Sequence, residues 1–360
     1  MSSLLWRGVA LGPGGIGNSQ RYASNRRFFD ETSTPWVRLW ADWPVLQPNR
    51  DAAPDFTRLD EDIAAARADG RRVMLTAWRY PRWANGTDAL TPAADAAHQL
   101  EDRVEPGGDP ARRKDLTFKL PADLSFGSDW ARWIGLLFGR YGSEIDALEL
   151  TNEPNLQLWP QIGVADAVAR MMVTAQTVAA GHLGSPLLVG PATSDGAGES
   201  RLRTGHDTFT GDLLDRLDAH GFTAGPGFAW SHHSYADVEG DLSGPDNRTA
   251  QVRSLLVGRW AGWPVGDATE PGVLVTETGA RLDRIAGLYG LEGPAAILQR
   301  QAEMIERNWR RTQFGPEGVG VGMVCLYLFV TDMNYDAGLC DLDGTPRPAY
   351  YAWGRLPAFS

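Results

Sequence analysis

Residues 145–155 read IDALELTNEPN. Ile145–Thr151 is a short apolar run, and it stops in Asn152-Glu153-Pro154. A proline directly after the carboxylate removes a backbone donor and keeps the chain extended, which fixes where the Glu153 side chain points. The next periodic stretch, Val164–Ala180, carries apolar residues at three- and four-residue spacing and predicts a helix. Strand, polar end, helix is therefore the unit to look for along the rest of the chain.

The unit recurs. Apolar runs end in polar, aromatic or glycine residues at Leu4–Leu11, Trp36–Trp40, Arg72–Ala77, Ile145–Thr151, Pro186–Gly190, Phe228–Ser231, Gly272–Thr276 and Val321–Phe329. Helical periodicity fills the gaps at Asp60–Asp69, Asp129–Tyr141, Val164–Ala180, Thr208–His220, Thr249–Trp260 and Pro294–Arg311. Alternation of this kind predicts a parallel sheet, and eight units in 360 residues predict an α/β chain closed into a (β/α)8 TIM barrel, one catalytic domain over 1–360. An open doubly wound sheet is the alternative, and Gly12–Gly17 (GPGGIG) offers it a glycine-rich loop. That loop lacks G-x-G-x-x-G spacing, contains a proline and runs into the polar NSQRYASNRR, so it reads as a loop at the barrel mouth. Long βα loops are expected after strand three (Pro81–Ser128) and strand six (Asp237–Asn247), on the face where barrel enzymes build pockets, either as lids or as excursions without a role.

Composition narrows the partner. A formal charge of −11 argues against nucleic acid and anionic membranes, which select basic surfaces. Fourteen tryptophans suit either a large core or a carbohydrate site, because sugar C–H faces pack on aromatic rings. The two cysteines, Cys325 and Cys340, provide no disulfide framework and no Cys-based zinc site; whether they pair with each other stays open. No cofactor and no metal are expected. The N-terminus lacks a signal-peptide pattern and no apolar window is long enough to span a bilayer, so a cytoplasmic protein is expected, although a mature secreted chain would read the same.

Two strand ends carry carboxylates: Glu153 after the fourth run, and Glu277 in Gly272–Arg281 (GVLVTETGAR) after the seventh. By strict alternation Val273, Val275 and Glu277 share one face, which predicts Glu277 at the rim of the barrel interior. Asn-Glu-Pro at the fourth strand and Glu at the seventh resemble glycoside hydrolase clan A. The resemblance implies a retaining glycosidase with Glu153 as acid/base, Glu277 as nucleophile and Asn152 on the sugar hydroxyl beside the anomeric carbon. In Trp230–Tyr235 (WSHHSY), period two places Ser231, His233 and Tyr235 on one face and turns His232 to the helices. H-x-Y here resembles the cellulase-like families, which implies that Tyr235 bonds the nucleophile and His233 contacts substrate or acid/base. Arg38 ends the second strand, where the clan places an arginine on the nucleophile; a charge inside an apolar strand needs such a partner. Trp78 and Trp159 are expected to stack on sugar rings. Val324–Trp353 resembles the close of families 39 and 5, with Tyr327 standing where many members place a tryptophan floor. The implied partner is a neutral carbohydrate. An inactive sugar-binding barrel or a transglycosylase would share most of these residues, and a metal-dependent aldolase or isomerase would need ligands or a lysine that the strand ends lack.

Overall fold

The computed structural model describes residues 5–12, 21–88, 116–159, 161–182, 184–198, 203–260, 272–313, 318–332 and 335–357. Eight parallel strands close into a barrel in chain order: β1 Trp6–Ala10, β2 Trp36–Asp42, β3 Arg72–Trp78, β4 Ala147–Glu149, β5 Leu187–Ser194, β6 Phe228–His233, β7 Val273–Thr278 and β8 Met323–Tyr327. Closure is made by β1 on β8, in register from Trp6 opposite Met323 to Ala10 opposite Tyr327.

Around it lie α1 (Tyr22–Glu31), α2 (Trp43–Leu46), α3 (Thr57–Ala68), α4 (Arg82–Asn85), α5 (Asp129–Tyr141), α6 (Val164–Ala179), α7 (His206–Ala219), α8 (Tyr235–Glu239), α9 (Arg248–Arg259), α10 (Leu282–Tyr289), α11 (Pro294–Thr312) and α12 (Pro348–Arg355). Helix α5 shows why these segments fold locally. Ser128 accepts from the Ala131 N–H at 3.1 Å to cap its start, and Trp130, Trp133, Ile134, Leu137 and Phe138 form its buried face. The polar stretch after the glycine-rich loop is also helical from Tyr22, because Tyr22, Phe28 and Phe29 give it an apolar face that polar neighbours hide in the sequence. Residues 13–17 of the GPGGIG loop and 89–115 of the long third loop lie outside the described residues.

Period two divides the strands between two cores. Val37, Leu39, Val73, Leu75, Leu148, Leu150, Phe228 and Trp230 pack outward against helices. Trp36, Met74, Ala147, Val189, Ala229, Leu274, Met323 and Cys325 fill the barrel interior. Gly8 leaves room in that layer, since a Cβ there would collide with Cys325 Sγ. Cys325 and Cys340 are both buried free thiols, their pKa values pushed up to about 12 by burial. One step further along the interior face the side chains turn polar: Arg38, Thr76, Glu149, Ser231 and Thr276, all fully buried.

Strand β7 departs from the alternation expected of it. Val273 and Val275 face the helices, and Leu274 faces the interior, the reverse of the predicted assignment. Against β8 the register runs from Val275 opposite Val324 to Thr278 opposite Leu326, and against β6 from Val275 opposite His232 to Glu277 opposite His233. One extra residue thus enters β7 on both sides. This bulge reverses the parity and brings Glu277 inward where simple alternation would have sent it to the helix layer.

The long sixth loop is firmly held. Asp237 accepts from the N–H of Arg248 and of Thr249 at 2.6 and 3.0 Å, and Asp241 pairs with Arg311 at 2.6 Å and with Arg307. Residues 237–247 are therefore a clasp between β6 and α9 and neither a lid nor an excursion.

Candidate active site

Beyond β4 the Glu153 N–H donates to the Ala192 carbonyl at 2.9 Å, but the extended backbone expected at Glu153 from the proline after it is not found, because the chain turns there. Glu153 itself has a φ of 44°, a left-handed conformation that costs a non-glycine residue on the order of 1–3 kcal/mol. The turn that holds it is over-determined. Gln157 N–H donates to the Glu153 carbonyl at 2.7 Å. The Asn155 side chain bonds Ser194 at both its N–H (2.9 Å) and its carbonyl (3.0 Å), tying the end of β4 to the end of β5.

Across the mouth, Glu277 receives Arg38 Nη1 on Oε2 at 2.9 Å and the Tyr235 hydroxyl on Oε1 at 2.8 Å. Tyr235 reaches it from the first turn of α8, two residues past the end of β6. Arg38 is fully buried and shared: its Nε donates to Glu149 at 2.8 Å and its Nη2 to Asn152 Oδ1 at 2.8 Å. Thr76 adds a bond to Glu149 at 2.9 Å. Burial opposes both charges, and each outweighs it for the other: Glu149 is held below its ordinary carboxylate range by Arg38, and Arg38 is raised by Glu149 and Glu277. Trp40 lies 4.3 Å over the guanidinium.

Glu153 has its own donors. His233 Nδ1 is 3.1 Å from its Oε1, and Gln157 Nε2 donates to its Oε2 at 3.0 Å. Burial favours the neutral acid, yet the His233 contact and then Gln157 outweigh it, so the Glu153 pKa is lowered, not raised. Burial likewise disfavours the His233 cation, and the charges of Glu277 and Glu153 overcome it to raise the His233 pKa. His233 is fully buried, and of the two alternatives expected of it, substrate or acid/base, the contact to Glu153 is the one present. Its Nδ1 also lies 4.0 Å from Glu277 Oε2. One ring nitrogen near both carboxylates means that Glu153 Oε1 and Glu277 Oε2 lie no further apart than those two distances together. Behind Glu153, burial and then the charge of Asp237 push Asp195 up to about 8, so it adds no second negative charge there at neutral pH.

Aromatic rings frame the opening. Trp78 is half-buried, with Trp40 at 5.0 Å and Phe118 at 5.7 Å, and forms one wall. Tyr327 forms the other with Tyr335, whose rings meet edge-on at 5.5 Å; Tyr335 meets Tyr235 at 5.3 Å. Trp159 does not join them. It is 4% exposed beneath Lys119, so it offers no open face for a sugar.

Arg38, Asn152, Glu153, His233, Tyr235 and Glu277 thus converge, with Trp78 and Tyr327 at the edges. The sequence reading missed Glu149, Gln157 and Tyr335. Glu149 had a usable signal, a charge in the middle of an apolar strand, the same signal that singled out Arg38. Among the described residues no group of three or more His, Cys, Asp or Glu side chains is placed to hold a metal ion, and no helix is long and apolar enough to cross a membrane.

No protein-family profile matches the sequence, and no curated protein matches it. Solved structures do. A family 39 glycoside hydrolase from the gut symbiont Bacteroides cellulosilyticus WH2 aligns over 98% of this chain at 17% identity and a TM-score of 0.59. The chain spans 63% of that protein's length. The GH5_18 protein from Streptomyces cattleya, solved with GlcNAc, aligns over 100% of this chain and 83% of its own at 16% identity and a TM-score of 0.57. A thermostable mutant of a xylanase from Cellvibrio japonicus aligns over 97% and 96% at 14% identity and a TM-score of 0.58. What the chain shares with these solved structures is the fold, a closed (β/α)8 barrel.

Proposed function

We propose that the protein is a retaining glycoside hydrolase acting on O-glycosidic bonds of a neutral oligosaccharide, polysaccharide or glycoside. The observation that supports it best is the pair of strand-end carboxylates straddling His233, one bonded by a permanent cation and the other by a titratable one. Glu277 attacks the anomeric carbon as Glu153 gives a proton to the departing glycosidic oxygen, leaving a glycosyl ester on Glu277. Glu153 then takes a proton from water, whose oxygen displaces Glu277 and releases the sugar with its original anomeric configuration. The proton for the first step is shared across the 3.1 Å contact between His233 and Glu153, a pair that titrates as a unit. Trp78 and Tyr327 flank the sugar ring, and Asn152, whose Oδ1 accepts from Arg38, meets the hydroxyl beside the reacting carbon.

A panel of aryl pentosides and hexosides, with NMR detection of the first anomer released, tests this. Turnover of at least one member with retention is expected. Glu277→Ala should lose activity and regain part of it with azide as a glycosyl azide, whereas Glu153→Ala should keep its first step only on substrates with good leaving groups. An enzyme inert to the whole panel, or one that inverts, would sink the proposal.

A further inference from the structure

We infer that Gln157 is a positioning residue for Glu153, the last link of a one-way chain of hydrogen bonds that begins at Arg38. The inference rests on the reading of Glu153 as the acid/base. Arg38 can only donate, and its Nη2 donates to Asn152 Oδ1 at 2.8 Å. That contact fixes the Asn152 amide, so its Nδ2 is the atom left to face Gln157, and it donates to Gln157 Oε1 at 3.3 Å. The indole N–H of Trp78, another group that can only donate, approaches the same Oε1 at 3.4 Å. With its carbonyl committed to two donors, the Gln157 amide has one orientation. Turning it over would set NH2 against two donors and its oxygen against a carboxylate. The NH2 is therefore aimed at Glu153 Oε2, 3.0 Å away.

Two consequences follow for Glu153. A donor permanently directed at one oxygen stabilises the carboxylate form and complements His233 on the other oxygen. It also holds the side chain in place beside a backbone already in the left-handed region. Because Trp78 and Asn152 both touch Gln157, the two groups expected to meet the sugar are wired to the residue that protonates it.

The test is the titration of Glu153 itself, followed by carboxyl 13C NMR on glutamate-labelled protein and assigned by its loss in Glu153→Gln. Gln157→Met keeps length and volume but removes the donor, and the Glu153 midpoint should rise by about one pH unit. Gln157→Glu keeps the acceptor for Asn152 and Trp78 but replaces the donor with a like charge, and the midpoint should rise further. Substrates with poor leaving groups should lose roughly tenfold more kcat/KM in Gln157→Met than substrates with good ones, because only the former need the aimed proton. A lowered Tm with the Glu153 midpoint unmoved in both variants would overturn the inference. The titration needs no substrate, so a shifted midpoint in a protein inert to every glycoside would remove the hydrolase reading while the hydrogen-bond assignment stands.

Discussion

The two sides of the pocket solve opposite problems with different cations. On the β7 side, Glu277 is bonded by Arg38, which stays charged at any working pH, and by the neutral Tyr235 hydroxyl. On the β4 side, Glu153 is bonded by His233, whose charge changes within the physiological range, and by the neutral Gln157 amide. Under the proposed roles, the carboxylate that attacks is given a fixed cation, and the one that exchanges protons is given a mobile one. Arg38 also divides its donors: Glu149 takes Nε and a share of Nη2, so Glu277 receives Nη1 alone and keeps a free lone pair on each oxygen. Glu149 is thus the counter-charge that lets Arg38 be buried without committing all its donors to Glu277.

The contrast can be broken most severely at Arg38. Arg38→Met strands Glu149 as an unpaired charge in the barrel, and urea unfolding should show a loss of about 3–5 kcal/mol. Adding Glu149→Gln should recover much of that stability while leaving turnover absent, since Glu277 still has no cation. Recovery of activity in the double variant would show that the fixed cation is dispensable.

A smaller effect is expected at Tyr235. Tyr235→Phe removes one bond to a charged group, and the glycosylation rate should fall roughly tenfold to a hundredfold with stability little changed. Single-turnover kinetics would check it, and an unchanged rate would leave Arg38 as the sole support of Glu277.

The smallest effect separates the two cations by pH. The raised pKa of His233 means its stabilising contribution is complete below the ordinary value of 6.5 and fades as pH rises through the raised one. The lowered pKa of Glu153 means its contribution is complete above the ordinary value of 4.5 and fades as pH falls through the lowered one. The stability difference between the wild type and His233→Asn should therefore be greatest between pH 4.5 and 6.5 and shrink on the alkaline side. A difference flat from pH 5 to 9 would mean that folding does not shift the His233 pKa at all.

Much of this site was legible because its residues stand at strand ends, where apolar runs stop. Glu153, His233 and Glu277 are conspicuous as polar groups closing hydrophobic segments, and Arg38, expected at a strand end, as a charge inside β2. Gln157 and Tyr335 were not, because each lies in a loop whose path no periodicity predicts, and each matters only through what it touches. Trp159 was misjudged for the complementary reason. Its place after a strand end is visible in the sequence, and its burial under Lys119 is not.

The sequence by itself determined the eight strands, six of the helices between them and the chain order of the two glutamates, because periodicity and punctuation act over a few residues at a time. The tertiary structure alone decided which way Glu277 faces. The extra residue in β7 is defined only by register against β6 and β8, and without it the same alternation would point that carboxylate into the helix layer. It also decided the protonation balance. Donors reach Glu153 from β6 and from the loop after β4, and a pKa depends on how near such groups come and how much water they exclude, which are properties of the assembled barrel.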